Sequence, residues 1–382
     1  MKTLAFTLFA IAVILLFVHA SEAQTPADAL ALENQGRLAE AVQAWRAVIA
    51  RNPNDAPALA SLGVALSKQQ KYSEAASAYR KALALDPKLP GIDLNLGLAE
   101  FKQGHFSAAV PPLRAALTVD PASIQAKTLL AMSYYGDKKF ALAEQFLTPL
   151  AEEQPENAEL HQILAQSCLW AKNYPCALEQ FRQLLEHNPD SAETHILTGE
   201  ALDGLSRTEE AIQEFEAAAK ISPRLPNVHF GLGYLYWKTQ QYDRAGKEFE
   251  SELEIDPANA QALAYLGDIE WKNDNAESAL SFLTRAAKMN GSLRIVDTDL
   301  GAIYLQQKKY QEAKAALLRA IALDPEQPEA HYQLARLYQA LGEKTAAQNE
   351  LHKSQELHDK VEDKLLGKIS TSPPALDPSE QK

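Results

Sequence analysis

The chain has 382 residues, with 37 Lys and Arg against 50 Asp and Glu, a formal net charge of −13. That surface repels phosphate backbones and carries no basic run or stripe, which argues against nucleic acid as a partner and against docking on anionic lipid. Only two cysteines occur, Cys168 and Cys176, and they do not form a metal-type C-x2-C pair.

The N-terminus reads as an export signal over residues 1–23. Lys2 supplies the positive end, Leu4 to Val18 is uncharged and apolar, and Ala20 and Ala23 each close a small-residue cleavage site. Cleavage after Ala23 leaves Gln24 first; cleavage after Ala20 is the second option. The other reading is an uncleaved anchor, but a helix of this run rises only ~22 Å against a hydrocarbon core of ~30 Å. No Cys ends the apolar run, so an N-terminal lipoprotein anchor is excluded, and no later segment is apolar enough to span a membrane.

From Glu22 the chain divides into ten frames of 34 residues without insertion or deletion. Position 20 of the frame is alanine every time, from Ala41 to Ala347. Position 8 is always Gly or Ala, as in Gly63, Gly97 and Ala131, and position 24 is always large and apolar, as in Trp45, Tyr79 and Phe181. Position 32 is proline from Pro53 to Pro325, except at Gly291, and is Asp359 in the last frame. This spacing predicts two amphipathic helices per frame. Small residues at 8 and 20 let the backbones approach, the large residue at 24 fills the space beside them, and proline ends the second helix.

Local signals refine the pattern. Thr25-Pro26-Ala27-Asp28 reads as an N-cap, a proline at the first helical position and an acid at the third. Ala276 at position 17 and the Asn290-Gly291 ending predict a looser joint between frames eight and nine. The last frame, with Lys344, Ser354 and Asp359 at usually apolar, small or proline positions, predicts a polar capping helix running on toward Leu366. A disordered tail is expected beyond about Gly367.

Frame nine carries Leu300, Gly301, Tyr304, Tyr310, Ala313, Leu317, Ala320 and Pro325. With the other frames in register, residues 22–361 resemble the tetratricopeptide repeat. The resemblance implies an all-α, right-handed superhelical solenoid of helix-turn-helix hairpins: ten repeats over 24–361, then a helix end and tail over 362–382. It also implies a concave face lined by the first helices, mainly through positions 2, 5, 9, 12 and 13.

On that face two aromatic patches are expected to bind a partner. One is Phe101, Met132, Tyr135, Leu169 and Trp170; the other is Phe230, Tyr234, Trp237 and Trp271; the acids Glu200 and Asp203 lie between them. The competing reading packs these rings between neighbouring first helices. Two specialised family modes do not fit. Position 5 holds no Lys or Arg and position 9 only Arg336, so a carboxylate clamp is absent; Asn95 stands nearly alone where an asparagine ladder would run.

No catalytic signature stands: there is no G-x-S-x-G, no glycine-rich phosphate loop and no H-E-x-x-H. The nine histidines read as scattered. Cys168 and Cys176 sit on either side of one hairpin turn, where either a short disulfide or two small core residues fits. The resulting expectation is an exported, non-catalytic scaffold of the bacterial periplasm or cell surface. It would need no cofactor or metal and would bind a peptide or helical segment of a protein. Two alternatives stay open: a subunit of an envelope secretion, polysaccharide-export or outer-membrane assembly, and a regulator of a separately encoded enzyme. Self-association is open as well.

Overall fold

The computed structural model describes residues 25–371, with side chains to residue 360. The expected signal peptide and the end of the tail therefore lie outside the described residues. Among these, every regular element is an α-helix, and the helices come in successive pairs. One compact unit ends at Pro189. Its pairs are α1 (Pro26–Asn34) with α2 (Leu38–Arg51), α3 (Ala56–Lys68) with α4 (Tyr72–Leu85), α5 (Ile92–Lys102) with α6 (Phe106–Val119), α7 (Ile124–Gly136) with α8 (Phe140–Glu153), and α9 (Ala158–Trp170) with α10 (Tyr174–His187). A second unit begins at Asp190. It holds α11 (Ala192–Gly204) with α12 (Thr208–Ile221), α13 (Val228–Lys238) with α14 (Tyr242–Ile255), α15 (Ala260–Lys272) with α16 (Ala276–Met289), α17 (Arg294–Gln306) with α18 (Tyr310–Leu323), and α19 (Pro328–Leu341) with α20 (Lys344–Thr371). No helix among the described residues is long and apolar enough to cross a membrane.

The caps follow the sequence. Thr25 opens α1 with a reciprocal capping box to Asp28. Asp55, Ser123, Asn157, Ser191 and Asn259 open later first helices by accepting a backbone N–H from three residues on. Inside every hairpin the turn is made by one left-handed residue at frame position 15. It is glycine at Gly36, Gly104 and Gly342, and a residue with a side chain at Gln70, Lys138, Lys172, Ser206, Gln240, Asp274 and Lys308. Because glycine fills only three of the ten places, the requirement is hard to see in the sequence.

Packing explains the invariant positions. Every alanine at position 20 is buried. A β-carbon on Gly63 would lie 2.4 Å from a ring carbon of Tyr79, and one on Gly301 would lie 2.5 Å from Leu317. Position 8 therefore stays small because the position-24 side chain of the same hairpin occupies that space. In the first unit Ala29, Trp45, Leu66, Tyr79 and Leu96 belong to one continuous core across three hairpins.

Four histidines recur at frame position 4 and tie the two helices of their hairpin together. The Nδ1 atoms of His195, His229 and His331 lie 2.6, 2.7 and 2.6 Å from carboxylates of Glu214, Glu248 and Glu350. His161 makes the same contact to Gln180 at 2.7 Å. These histidines are thus periodic, not scattered; an irregular gap before the fourth hides the register.

The joint between the eighth and ninth hairpins is closed by apolar packing, since Leu263, Leu283, Val296, Leu300 and Ile303 share one core. Its irregularity is confined to the turn, where Leu293 opens α17 with no side-chain cap. The last helix passes Gly367 and ends at Thr371, with Leu357 buried.

Two glycine substitutions test this packing in opposite directions. Gly63→Ala should destabilise the chain by about 1–3 kcal/mol through overpacking against Tyr79. Gly246→Ala, inside α14 with no heavy atom within 4 Å of the new methyl, should stabilise it by about 0.5–1 kcal/mol. Urea unfolding of both variants beside the parent measures the signs; like signs would contradict the packing account.

Candidate functional site

In the first unit the expected patch is a ring cluster built partly from second helices. Tyr135 of α7 lies 5.8 Å from Trp170 of α9 and 6.0 Å from Phe140 of α8, and Phe140 lies 4.8 Å from Trp170. The Tyr135 hydroxyl donates to Gln166 at 2.6 Å. Phe101 meets Phe106 edge-on at 5.6 Å, and Met132 is half-buried. Trp170 stays 46% exposed, but Leu169 is only 6% exposed and belongs to the core, not to a binding surface. One residue along a helix turns the side chain by about 100°, so Leu169 points inward where Trp170 points out.

The second unit gathers a larger cluster around a residue the pattern did not single out. Tyr265 of α15 lies 6.0, 5.8 and 4.9 Å from Phe230, Tyr234 and Trp237 of α13, and 5.4 Å from Phe249 of α14. Tyr234 and Trp237 stack at 6.1 Å. Burial pushes the Tyr265 hydroxyl up to about 12. The rings therefore pack between neighbouring first helices, as the competing reading expected, and also keep part of their surface open. Trp271, expected in this patch, instead sits half-buried against the core shared by α15, α16 and α17. Position 6 of the frame, where Tyr265 stands, varies too much between frames to give it away.

A buried carboxylate fixes the orientation of Trp237. Its indole Nε1 donates to Asp268 Oδ2 at 2.5 Å, and Lys272 pairs with the same carboxylate. Asp299 of α17 is also buried and is different: its Oδ2 has no hydrogen-bond partner. Burial first, and then the charge of Asp268, push the Asp299 carboxyl well above the usual carboxylate range.

Beside the rings lies a hollow of about 400 Å³. Ile196, Glu200 and Asp203 of α11, Phe215 of α12, Phe230, Gly231 and Tyr234 of α13, and Gln261 of α15 line it. Glu200 and Asp203 thus join the second patch. Asp203 is paired with Lys238 at 2.6 Å. Glu200 is exposed at the edge of the hollow, and partial burial there raises its carboxyl above its ordinary range. Gly231 is required here, because its β-carbon would stand 2.1 Å from the Phe215 ring.

The wall formed by α13 is held from behind by Glu252. This acid is fully buried at frame position 27, where alanine is usual. It accepts the backbone N–H groups of Asn227 at 3.0 Å and Phe230 at 3.1 Å, which are otherwise orphaned at the start of α13. Asn227 is itself left-handed, so this helix starts late, at Val228. The charge in the core thus positions Phe230 at the mouth of the hollow.

The two cysteines are joined: Cys168 and Cys176 form a disulfide across the turn at Lys172, with Cα atoms 5.8 Å apart. Glu144 lies beside them, and its oxygen and the two sulfurs fall within 4.8 Å of one another. Because the sulfurs are bonded to each other and Glu144 accepts from Asn173 at 2.6 Å, this trio offers no free set of metal donors.

Family models described as tetratricopeptide or TPR repeat match residues 27–90 and 230–292, 66–133 and 100–167, 205–240 and 301–342, and 328–358. Among solved structures, the APC/C hetero-tetramer Cut9–Hcn1 is similar, with 14% identity and a TM-score of 0.51 over 86% of this chain and 80% of that one. YrrB, described as a TPR protein with an unusual peptide-binding site, has 22% identity and a TM-score of 0.38 over 47% of this chain and 93% of its own. A MamA structure has 24% identity and a TM-score of 0.39 over 43% and 95%. No curated protein matches the sequence.

The unpartnered Asp299 gives the second unit a pH signature. An acid with a raised folded pKa stabilises below its unfolded value of about 3.9 and loses that contribution as pH rises through the folded value. Asp299→Asn should therefore match the parent near pH 4 and exceed it at neutral pH by about 1–3 kcal/mol. Denaturant unfolding across that range measures the gap; a gap that stays constant with pH would remove the assignment.

Proposed function

Because this chain belongs to the tetratricopeptide repeat family, we propose that it is a non-catalytic scaffold that holds an extended peptide or helical segment of a partner protein on its first-helix face. Family membership alone does not choose a ligand. The observation that carries the reading is the part-open ring cluster of Phe230, Tyr234 and Trp237 beside a 400 Å³ hollow. Rings held rigidly by a neighbour, here Tyr265, lose little entropy on binding and make good anchors. The exposed Trp170 offers a second anchor in the first unit.

On this reading the scaffold works outside the cytoplasm, in a bacterial periplasm or at a cell surface. The apolar run behind Lys2 and the small residues Ala20 and Ala23 support export. The Cys168–Cys176 disulfide supports an oxidising compartment.

A random peptide library displayed on phage and panned against residues 24–382 tests the site. Selected peptides should bind Tyr234→Ala at least about tenfold more weakly than the parent, with the far-UV spectrum unchanged. Equal affinity for both proteins would move the search to the Trp170 cluster or away from the first-helix face.

A further inference from the structure

The hollow differs from the ring cluster beside it in charge. Its lining offers oxygen acceptors: the Glu200 carboxylate and the side-chain amides of Asn227 and Gln261. No Lys, Arg or His belongs to that lining. Lys238, which lies against the lining residue Asp203, is committed to it by an ion pair. Glu200 carries neither an ion pair nor a hydrogen bond, and it shares the lining of the hollow with Phe215, Phe230 and Tyr234. Glu200 is exposed to solvent at the edge of the hollow and has no counter-ion, so its carboxylate is free to pair with an incoming cation.

We propose that the hollow is a specificity pocket for a long basic side chain, lysine or arginine, carried by the peptide that the first-helix face binds. This rests on the reading of that face as a peptide-binding surface and assigns the chemistry of one residue of the ligand. The methylenes of the incoming side chain lie along Phe230 and Tyr234. Its charged end reaches Glu200, with the Asn227 and Gln261 amides completing its hydrogen bonds. The volume accommodates such a side chain with room for water, and ring faces attract a cation as well as its methylenes. The Glu252 clamp keeps Phe230 in place, so the pocket is formed before the ligand arrives.

Four fluorescein-labelled peptides, Ala-Ser-Ala-X-Ala-Ser-Ala with X as arginine, lysine, norleucine or glutamate, test the charge. Fluorescence anisotropy with residues 24–382 should rank arginine and lysine about tenfold tighter than norleucine, with glutamate weakest. Glu200→Gln should abolish the preference, so that arginine, lysine and norleucine bind alike, because the amide keeps the shape and loses the charge. Raising the salt concentration should narrow the same preference. Norleucine binding as well as arginine, a preference that survives in Glu200→Gln, or no saturable binding of the arginine peptide at millimolar concentration would each overturn the proposal. Tyr234→Ala separates the two readings, since it should weaken every peptide of the set together. Library peptides that depend on Tyr234 but show no basic residue would leave the binding face standing and remove the basic pocket.

Discussion

Two helix backbones can lie against each other only where no side chain separates them, and that close approach governs this chain. Position 20 is buried alanine in every hairpin, and position 8 is glycine or alanine. The ring or branched chain at position 24 occupies the volume that a larger residue at position 8 would take. With that contact fixed, the second helix of each hairpin has one place to lie, and the apolar side chains left over form the core with the next hairpin. The sites combine first-helix positions that this contact leaves free with a few second-helix rings, among them Phe140, Phe215 and Phe249.

Acids at core positions do the remaining structural work, and each has a different partner. Glu100 is held by Arg80 and His105, Glu252 by backbone N–H groups, and Asp268 by an indole and a lysine. Asp299 has an oxygen with no hydrogen-bond partner at all. A buried charge is tolerated when its oxygens are bonded, and it shifts toward its neutral form when they are not. The second unit thus combines well-satisfied acids that position rings with one acid whose Oδ2 is left without a hydrogen-bond partner.

The fold was legible because it is periodic. Alanine at position 20, a small residue at position 8 and proline at position 32 each reflect a constraint acting within about one frame, and ten copies make it visible. Thr25 as an N-cap and Asp28 as an acid of the first turn were readable from local signals, and the bond between them is what the structure adds. What escaped depends on contacts between frames or between helices far apart in sequence. Tyr265 matters because it meets α13 from the next hairpin, Leu169 is buried because its direction differs from that of Trp170, and Glu252 matters because α13 starts late. The position-4 histidines were within reach of a column count. The left-handed turn residue was not, since seven of its occupants are ordinary polar residues.

That turn residue also bears on how the molecule comes apart. Each hairpin reverses direction through one backbone kink whose hydrogen bonds close over a few residues, as when Lys71 donates to Leu66 and Gln241 to Tyr236. Such a turn forms without waiting for distant contacts, so loop-closure entropy within a hairpin is small. Cooperativity then resides in the joints between hairpins, and opening from a terminal hairpin inward becomes a lower-energy route than melting of a whole unit at once. Amide protection in such an array is lost a hairpin at a time, with the hairpin as the smallest piece that opens.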